Sequence, residues 1–442
     1  MKVRTLLPGL ILALSFSAYS LDPGEAPSVK RGEPQRQGNY WEEREECSAP
    51  LRAGSRMTVR ADFGSIDVQP AAGERMTCQV RVRVYTANES DARRSFHNYE
   101  LTLQPTEGGL FLRGSLPSER KNNRSVSAEF NLTVPARTNL DLETKGGAIG
   151  VGKLDGSLQA VTAGGDIRTA DLAGPVRAET AGGSIRLGSV AAHVEARTAG
   201  GSILVGDVNG AAVLETSGGE VSAGMVAGTL RAETAGGDLV LRGAKGGIEA
   251  RTAGGQIQIG ETGGSVVAQT AGGSIRLQGA RGRVEVKTAG GGINLLQVRN
   301  GVQASTAAGC ILAQIDAGQK AFAASDLETQ AGDILVYLPP NLPVTVDAAI
   351  DMAAGHKIMS DFPLNIKGDG QAFAPKKLRG EGALNGGGEL LRVRTVAGNI
   401  EIRKLDTQTL GMLRSEQDSF WKRWQERESQ RQQKQGDRQE PQ

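Results

Sequence analysis

Thr180-Ala181-Gly182-Gly183-Ser184-Ile185-Arg186-Leu187-Gly188-Ser189-Val190-Ala191-Ala192-His193-Val194-Glu195-Ala196-Arg197 is one unit of a pattern that begins again at Thr198. A Thr opens a Gly-rich tetrapeptide at Thr144, Thr162, Thr180, Thr198, Thr216, Thr234, Thr252, Thr270, Thr288 and Thr306, each 18 residues after the last. Disordered tracts tolerate insertions, so a length held constant over ten units identifies a folded repeat. The consensus is T-A-G-G-x-I-x-L-x-x-V-x-G-x-V-x-A-x.

Apolar residues alternate with polar ones inside the unit, the period of a β-strand. One short strand carries Ile185 and Leu187, repeated as Ile203/Val205, Leu239/Leu241, Ile257/Ile259, Ile275/Leu277 and Ile293/Leu295. A second carries Val194, Ala196 and Thr198, repeated as Leu230/Ala232/Thr234 and Ile248/Ala250/Thr252. A further apolar position between them holds Leu154, Leu172, Val190, Val208, Val226 and Val298. A two-stranded unit this small cannot bury its apolar face alone. Stacking does so, each strand pairing in parallel with its counterpart 18 residues on. The expected fold is all-β: a single parallel β-solenoid (β-helix), with an irregular β cap at its N-terminus and a C-terminal helical tail. Ten coils at ~4.8 Å make a rod roughly 48 Å long.

The outward positions test this register. Arg177 faces Glu195, Glu179 faces Arg197, Arg231 faces Glu249 and Glu233 faces Arg251, so the sign is expected to invert wherever adjacent coils both carry charges. Each such pair contributes roughly 0.2–1 kcal/mol, and its larger effect is on specificity. The Thr column has the parity of Val194 and Ala196. Its methyls are expected to point inward, with the hydroxyls bonding backbone at the Gly corner. An ice-binding Thr array is disfavoured because the exposed columns hold Glu, Arg and Lys.

Composition narrows the chemistry. Gly supplies 61 of 442 residues without recurring every third position, which excludes collagen, and hydrophobics reach 38%, which excludes simple disorder. Aromatics at 4% and three His leave little material for stacked pockets or acid–base relays. Lys+Arg 51 against Asp+Glu 49 is near balance, which argues against nucleic acid as partner. The Gly-Gly turns match neither a calcium β-roll, whose Asp position is apolar here, nor a dinucleotide or phosphate loop. A polysaccharide-active β-helix enzyme needs paired acids roughly 5–9.5 Å apart. Asp166 and Asp238 lie four coils apart on one column with Ser184, Ser202 and Glu220 between them, and His193 sits at a variable corner. No catalytic, cofactor-binding or metal-binding residue is assigned.

Flanking segments organise the rest. Residues 1–20 read as a secretory signal, with Lys2 and Arg4, an apolar Leu6–Phe16 run and an Ala18-Tyr19-Ser20 cleavage site. Residues 21–46, with three prolines and the run Glu42-Glu43-Arg44-Glu45-Glu46, read as a flexible spacer. Residues 47–138 are expected to form the N-terminal strands and cap, 139–314 the regular solenoid, and 315–403 irregular C-terminal coils. Residues 404–442 form a charged tail, helical or partly disordered, in which Phe420, Trp421 and Trp424 share one helical face. Those three aromatics either dock on the last coil or meet a partner or a membrane surface. Cys47 and Cys78 are the candidate disulfide pair, worth roughly 3–4 kcal/mol if closed, against the alternative of three reduced thiols; Cys310 is expected free.

Asn131-Leu132-Thr133-Val134-Pro135, then Leu140 to Thr144 with its Gly-Gly-x-Ile turns, is similar to the bacterial β-strand-repeat family labelled putative adhesins, of unknown function. Gly332-Asp333-Ile334 through Leu338-Pro339, then Thr395 to Ile402, resembles that family's closing coils. The resemblance covers roughly residues 55–405 and implies an exported β-solenoid. The combined expectation is a non-enzymatic protein in the periplasm, cell envelope or extracellular space. It would present repetitive surfaces to a protein, glycan or wall polymer, with peripheral membrane contact through the tail. The alternatives are an envelope regulatory or sensory module binding a membrane partner and, discounted, the polysaccharide-active enzyme.

Overall fold

The computed structural model describes residues 26–116, 126–316, 322–371, 374–413 and 415; residues 1–20, read above as a secretory signal, and the aromatics Phe420, Trp421 and Trp424 lie outside them. Among the described residues the strands form two sheets, of 19 and 18 strands, that face each other across one continuous aliphatic core. The chain is the parallel solenoid that the repeat and the family resemblance imply. Ile185–Leu187 pairs in parallel with Ile203–Val205, and Val194–Thr198 with Ala212–Thr216, each residue against its equivalent 18 positions later. Ile167, Ile185, Ala178 and Ala196 are fully buried. Each buried Ile stabilises by roughly 1.5–3 kcal/mol, so the aliphatic columns are the main driving force.

The third apolar position forms its own short ladder of isolated bridges, Leu154–Leu172–Val190–Val208–Val226. From Val221–Val226 onward this position joins the first sheet, whose strands lengthen to six residues, as in Leu239–Ala244 and Ile275–Ala280. Gly243, at φ 144°, reaches a conformation that lets the strand continue through the bend. In the earlier coils an Asp holds the bend instead. Asp171 Oδ1 accepts from the Ser189 N–H at 2.8 Å, and Asp207 Oδ1 from the Met225 N–H at 2.8 Å.

The N-terminal end departs from expectation. Residues 28–50, mostly assigned above to a flexible spacer, form β1 (Ser28–Arg31), β2 (Gln35–Gln37) and β3 (Tyr40–Pro50). The acidic run lies inside β3, where Trp41, Glu43, Glu45, Cys47 and Ala49 share the buried face. Its composition suggests solvation, but antiparallel pairing with β6 (Arg75–Val84) over ten residues overrides it. The chain continues through β4 (Arg56–Ala61), β5 (Ser65–Ala71), β6, α1 (Glu89–Asn98), β7 (Glu100–Thr106), β8 (Gly109–Ser115) and β9 (Val126–Pro135). Helix α1 was not expected in a cap read as all strand. Asn88 caps it, its Oδ1 accepting from the Ser90 N–H, and Ala92 and Phe96 anchor it to the core. Strands β4 and β5 then hand the parallel pairing to Asn139–Thr144 and Ile149–Val151.

At the far end the chain order breaks. Leu390–Ala397 lies between Ser325–Ala331 and Val344–Ile350, parallel to both. Ala374–Leu384 then adds antiparallel to Val344–Ile350, and Asn365–Gln371 adds outside it. The tail is described only as a short helix over 407–413.

Candidate functional site

The most regular feature is the corner after the second strand. Thr198 Oγ1 donates to the Gly183 carbonyl oxygen of the preceding coil at 2.8 Å and accepts from the Gly201 N–H at 3.2 Å. The same two bonds recur at Thr180, Thr216, Thr234, Thr252, Thr270 and Thr288. All these Thr side chains are buried, so the array is structural. Gly183 is required because the coils touch there: a Cβ would lie 2.0 Å from the Gly165 carbonyl oxygen.

Asp166 and Asp238, weighed above as acids of a hydrolase, serve the backbone. Asp166 Oδ1 accepts from the Ser184 N–H at 2.8 Å and Asp238 Oδ1 from the Gln256 N–H at 2.7 Å. Among the described residues no cluster of three or more His, Cys, Asp or Glu is placed to hold a metal ion. No helix among them is long and apolar enough to cross a membrane.

The outward face of the second sheet carries the charge. Arg177 bridges Glu179 at 2.6 Å and Glu195 at 3.5 Å, and Arg197 bonds Glu195 and, at 2.9 Å, Glu215. Arg231 bridges Glu233 at 2.9 Å and Glu249 at 3.5 Å, and Arg251 bonds Glu249 and, at 2.9 Å, Glu233. The four expected pairs are direct ladder neighbours. Within these two columns the expected sign inversion fails at one step, where Glu215 stands opposite Glu233, and on the first sheet Arg168 stands opposite Arg186. Arg231 compensates the first by contacting both glutamates, at 3.9 Å and 2.9 Å. The Glu215 hydrogen bond holds the Arg197 guanidinium above its ordinary pKa, and the Glu233 bond does the same for Arg251. A groove of about 1040 Å³ runs beside the second column, lined by Glu179, Arg197, Glu215, Glu233 and Arg251 and by the Thr-Ala corners.

Cys47 and Cys78 are direct neighbours across β3 and β6 and form a disulfide, with Cα atoms 4.9 Å apart; Cys310 is free and exposed. Sequence reasoning missed a buried polar cluster beside this bridge. Glu45 is fully buried and neither of its carboxylate oxygens has a hydrogen-bond partner. Arg31 of β1 lies 3.3 Å from Glu45 and donates to the Tyr99 carbonyl oxygen at 2.6 Å. Burial pushes the Glu45 carboxyl up to about 7, with Arg31 opposing and Glu43 adding to the rise. Burial likewise raises Glu43 and the unpartnered Tyr99 hydroxyl. Burial works the same way on Glu42, but hydrogen bonds from Arg44 and Arg83 outweigh it and hold that carboxyl low. The alternation of Glu43, Glu45 and Cys47 was the available signal.

No family model matches the chain, and no curated protein matches it. Solved structures similar to it include the following three. A putative cell adhesion protein from Clostridium sporogenes is 10% identical, covering 84% of this chain and 100% of its own, with a TM-score of 0.17. A putative adhesin from Bacteroides fragilis is 8% identical, covering 82% and 97%, with a TM-score of 0.24. A putative lipid binding protein from Parabacteroides distasonis is 12% identical, covering 87% and 98%, with a TM-score of 0.18. At such identities and TM-scores these likenesses carry no conclusion about function.

Proposed function

We propose that the protein is an exported, non-enzymatic β-solenoid that presents its repetitive outer faces to a protein, glycan or wall polymer of the cell envelope or its surroundings. One observation carries this reading. Asp166 and Asp238, the acids weighed for a hydrolase, each accept from a backbone N–H of the next coil, and the Thr hydroxyls bond the Gly corner of the coil before. What remains outward is a regular pattern of charge on a stiff shaft, which suits recognition of an extended partner. The signal segment of residues 1–20 supports export.

A second reading rests on the sequence spacing of Phe420, Trp421 and Trp424 within the tail, which would put the three on one face of a helix. It makes the chain an envelope regulatory or sensory module whose tail meets a membrane partner. Crosslinking on intact cells, followed by identification of captured partners, tests both readings. Labelling of the rod from outside, with capture of a surface polymer or protein, supports the adhesive reading. A rod shielded from label, with capture lost on deleting residues 414–442, supports the second. Glycan hydrolysis by the purified chain would overturn both.

A further inference from the structure

The charged face has an order that pairing within one chain does not require. Along the rod the first outward column reads Arg177, Glu195, Val213, Arg231, Glu249, and the second reads Glu179, Arg197, Glu215, Glu233, Arg251. Reversing either column about its centre, Val213 or Glu215, exchanges every Arg with a Glu. A two-fold axis parallel to the strands and lying in the plane of contact performs that reversal while keeping each column opposite itself.

We infer that this face pairs with the same face of a second copy of the chain, the two rods antiparallel and the axis passing over Val213 and Glu215. Arg177 then meets Glu249 of the other copy, Glu195 meets Arg231, Glu179 meets Arg251 and Arg197 meets Glu233. Two-fold symmetry makes each contact twice, the isologous arrangement of most homodimers. Glu215 meets itself on the axis, flanked in each copy by Arg197 at 2.9 Å and Arg231 at 3.9 Å, so its charge is compensated.

The register is specific against half-coil shifts. Moving the axis half a coil toward the C-terminus sets Glu195 against Glu249, Glu215 against Glu233 and Arg197 against Arg251. Moving it the other way sets Arg177 against Arg231 and Glu179 against Glu233. Like charges brought face to face reject both registers. A parallel two-fold pairing would make unlike contacts too, but along the whole face it sets three like pairs together, Asp141 against Glu143, Asp326 against Glu328 and Arg392 against Arg394; beyond the five coils the antiparallel register sets one, Asp141 against Glu285, beside the unlike pair Glu143 and Lys287. The five coils span roughly 20 Å by 16 Å. That is well below the ~800 Å² per partner of a standard interface, so the dimer is weak and governed by salt. This inference does not depend on the adhesive reading.

Sedimentation of the full chain at roughly 0.3 mM, in about 50 mM and about 500 mM salt, tests it. A dimer at low salt that dissociates at high salt is expected. Arg197→Glu and Glu233→Arg should each weaken self-association by about tenfold or more. Mixed one to one they should dimerise again, because the reversed 197 of one variant meets the reversed 233 of the other while the remaining 197–233 contact stays native. A parallel dimer would not be rescued by mixing, because 197 then faces 195 and 233 faces 231. Thermal unfolding shows whether the variants are folded; if either is not, Arg177→Glu mixed with Glu249→Arg makes the same test. A monomeric wild type at low salt, variants that dimerise as wild type does, or a mixture no tighter than its components would each overturn the inference.

Discussion

The hydroxyl of Thr198 lies 2.8 Å from the carbonyl oxygen of Gly183, which sits 15 residues earlier in the chain and one coil below in space. The same hydroxyl accepts from the Gly201 N–H of its own coil. One side chain therefore joins two successive corners, and repetition of the bond makes the corner column continuous along the rod.

Thr198→Val keeps the shape and removes both bonds, leaving the buried Gly183 carbonyl without that donor. A loss of about 1–3 kcal/mol is expected in urea unfolding. Thr198→Ser retains the hydroxyl and should recover part of that loss. A Val variant as stable as wild type would show that the hydroxyl column contributes nothing.

The two glycines of one corner should differ sharply. A Cβ on Gly183 would meet the Gly165 carbonyl oxygen at 2.0 Å, whereas one on Gly182 has its nearest neighbour at 3.6 Å. Gly183→Ala must push two coils apart and should cost about 3 kcal/mol or more, while Gly182→Ala should stay within about 0.5 kcal/mol. Equal melting temperatures for the two variants would contradict the close stacking of the second glycine.

Glu45 sets a pH dependence whose sign is opposite to that of most carboxylates. Its folded-state pKa of about 7 stands above the ordinary 4.5, so the native state holds the proton more tightly than the unfolded chain. The contribution is fully present below pH 4.5 and is lost as pH rises to about 7. Glu45→Gln should match wild type near pH 4.5 and exceed it at pH 8 by up to about 3 kcal/mol. Denaturation curves at several pH values check this; a Gln variant less stable at pH 8 would show that Arg31 fully offsets the buried charge.

Reduction of Cys47–Cys78 should cost about 3–4 kcal/mol, since the bridge closes a loop with a sequence separation of 31. Cys47→Ala with Cys78→Ala should reproduce the effect, because the register of β3 on β6 places both side chains in the same buried layer. Unfolding with and without reductant is the measurement, and identical midpoints would remove the bridge from the stability of the cap.

The regular coils were legible because each one repeats its predecessor's problem. A period of 18 with alternating Ile185, Leu187, Val194 and Ala196 admits one way of stacking, and the parallel register follows from it. The cap was harder to read. Glu43 and Glu45 look solvated until β6 is seen beside them, and nothing local announces the place of β3 in a sheet. Helix α1 has its cap at Asn88, but its core contacts at Ala92 and Phe96 exist only once the strands around it are assembled.

Periodicity by itself determined that the chain winds in coils of equal length, which residues face inward, and that the corner needs Gly, since a repeated unit can bury its apolar side only against its own copies. The tertiary structure decided what neighbours do to one another across distance. It seated Arg31 over Glu45, and slid Leu390–Ala397 between two strands that precede it in the chain. Those outcomes depend on contacts between segments that share no repeat, whose energies are written in no single stretch of sequence.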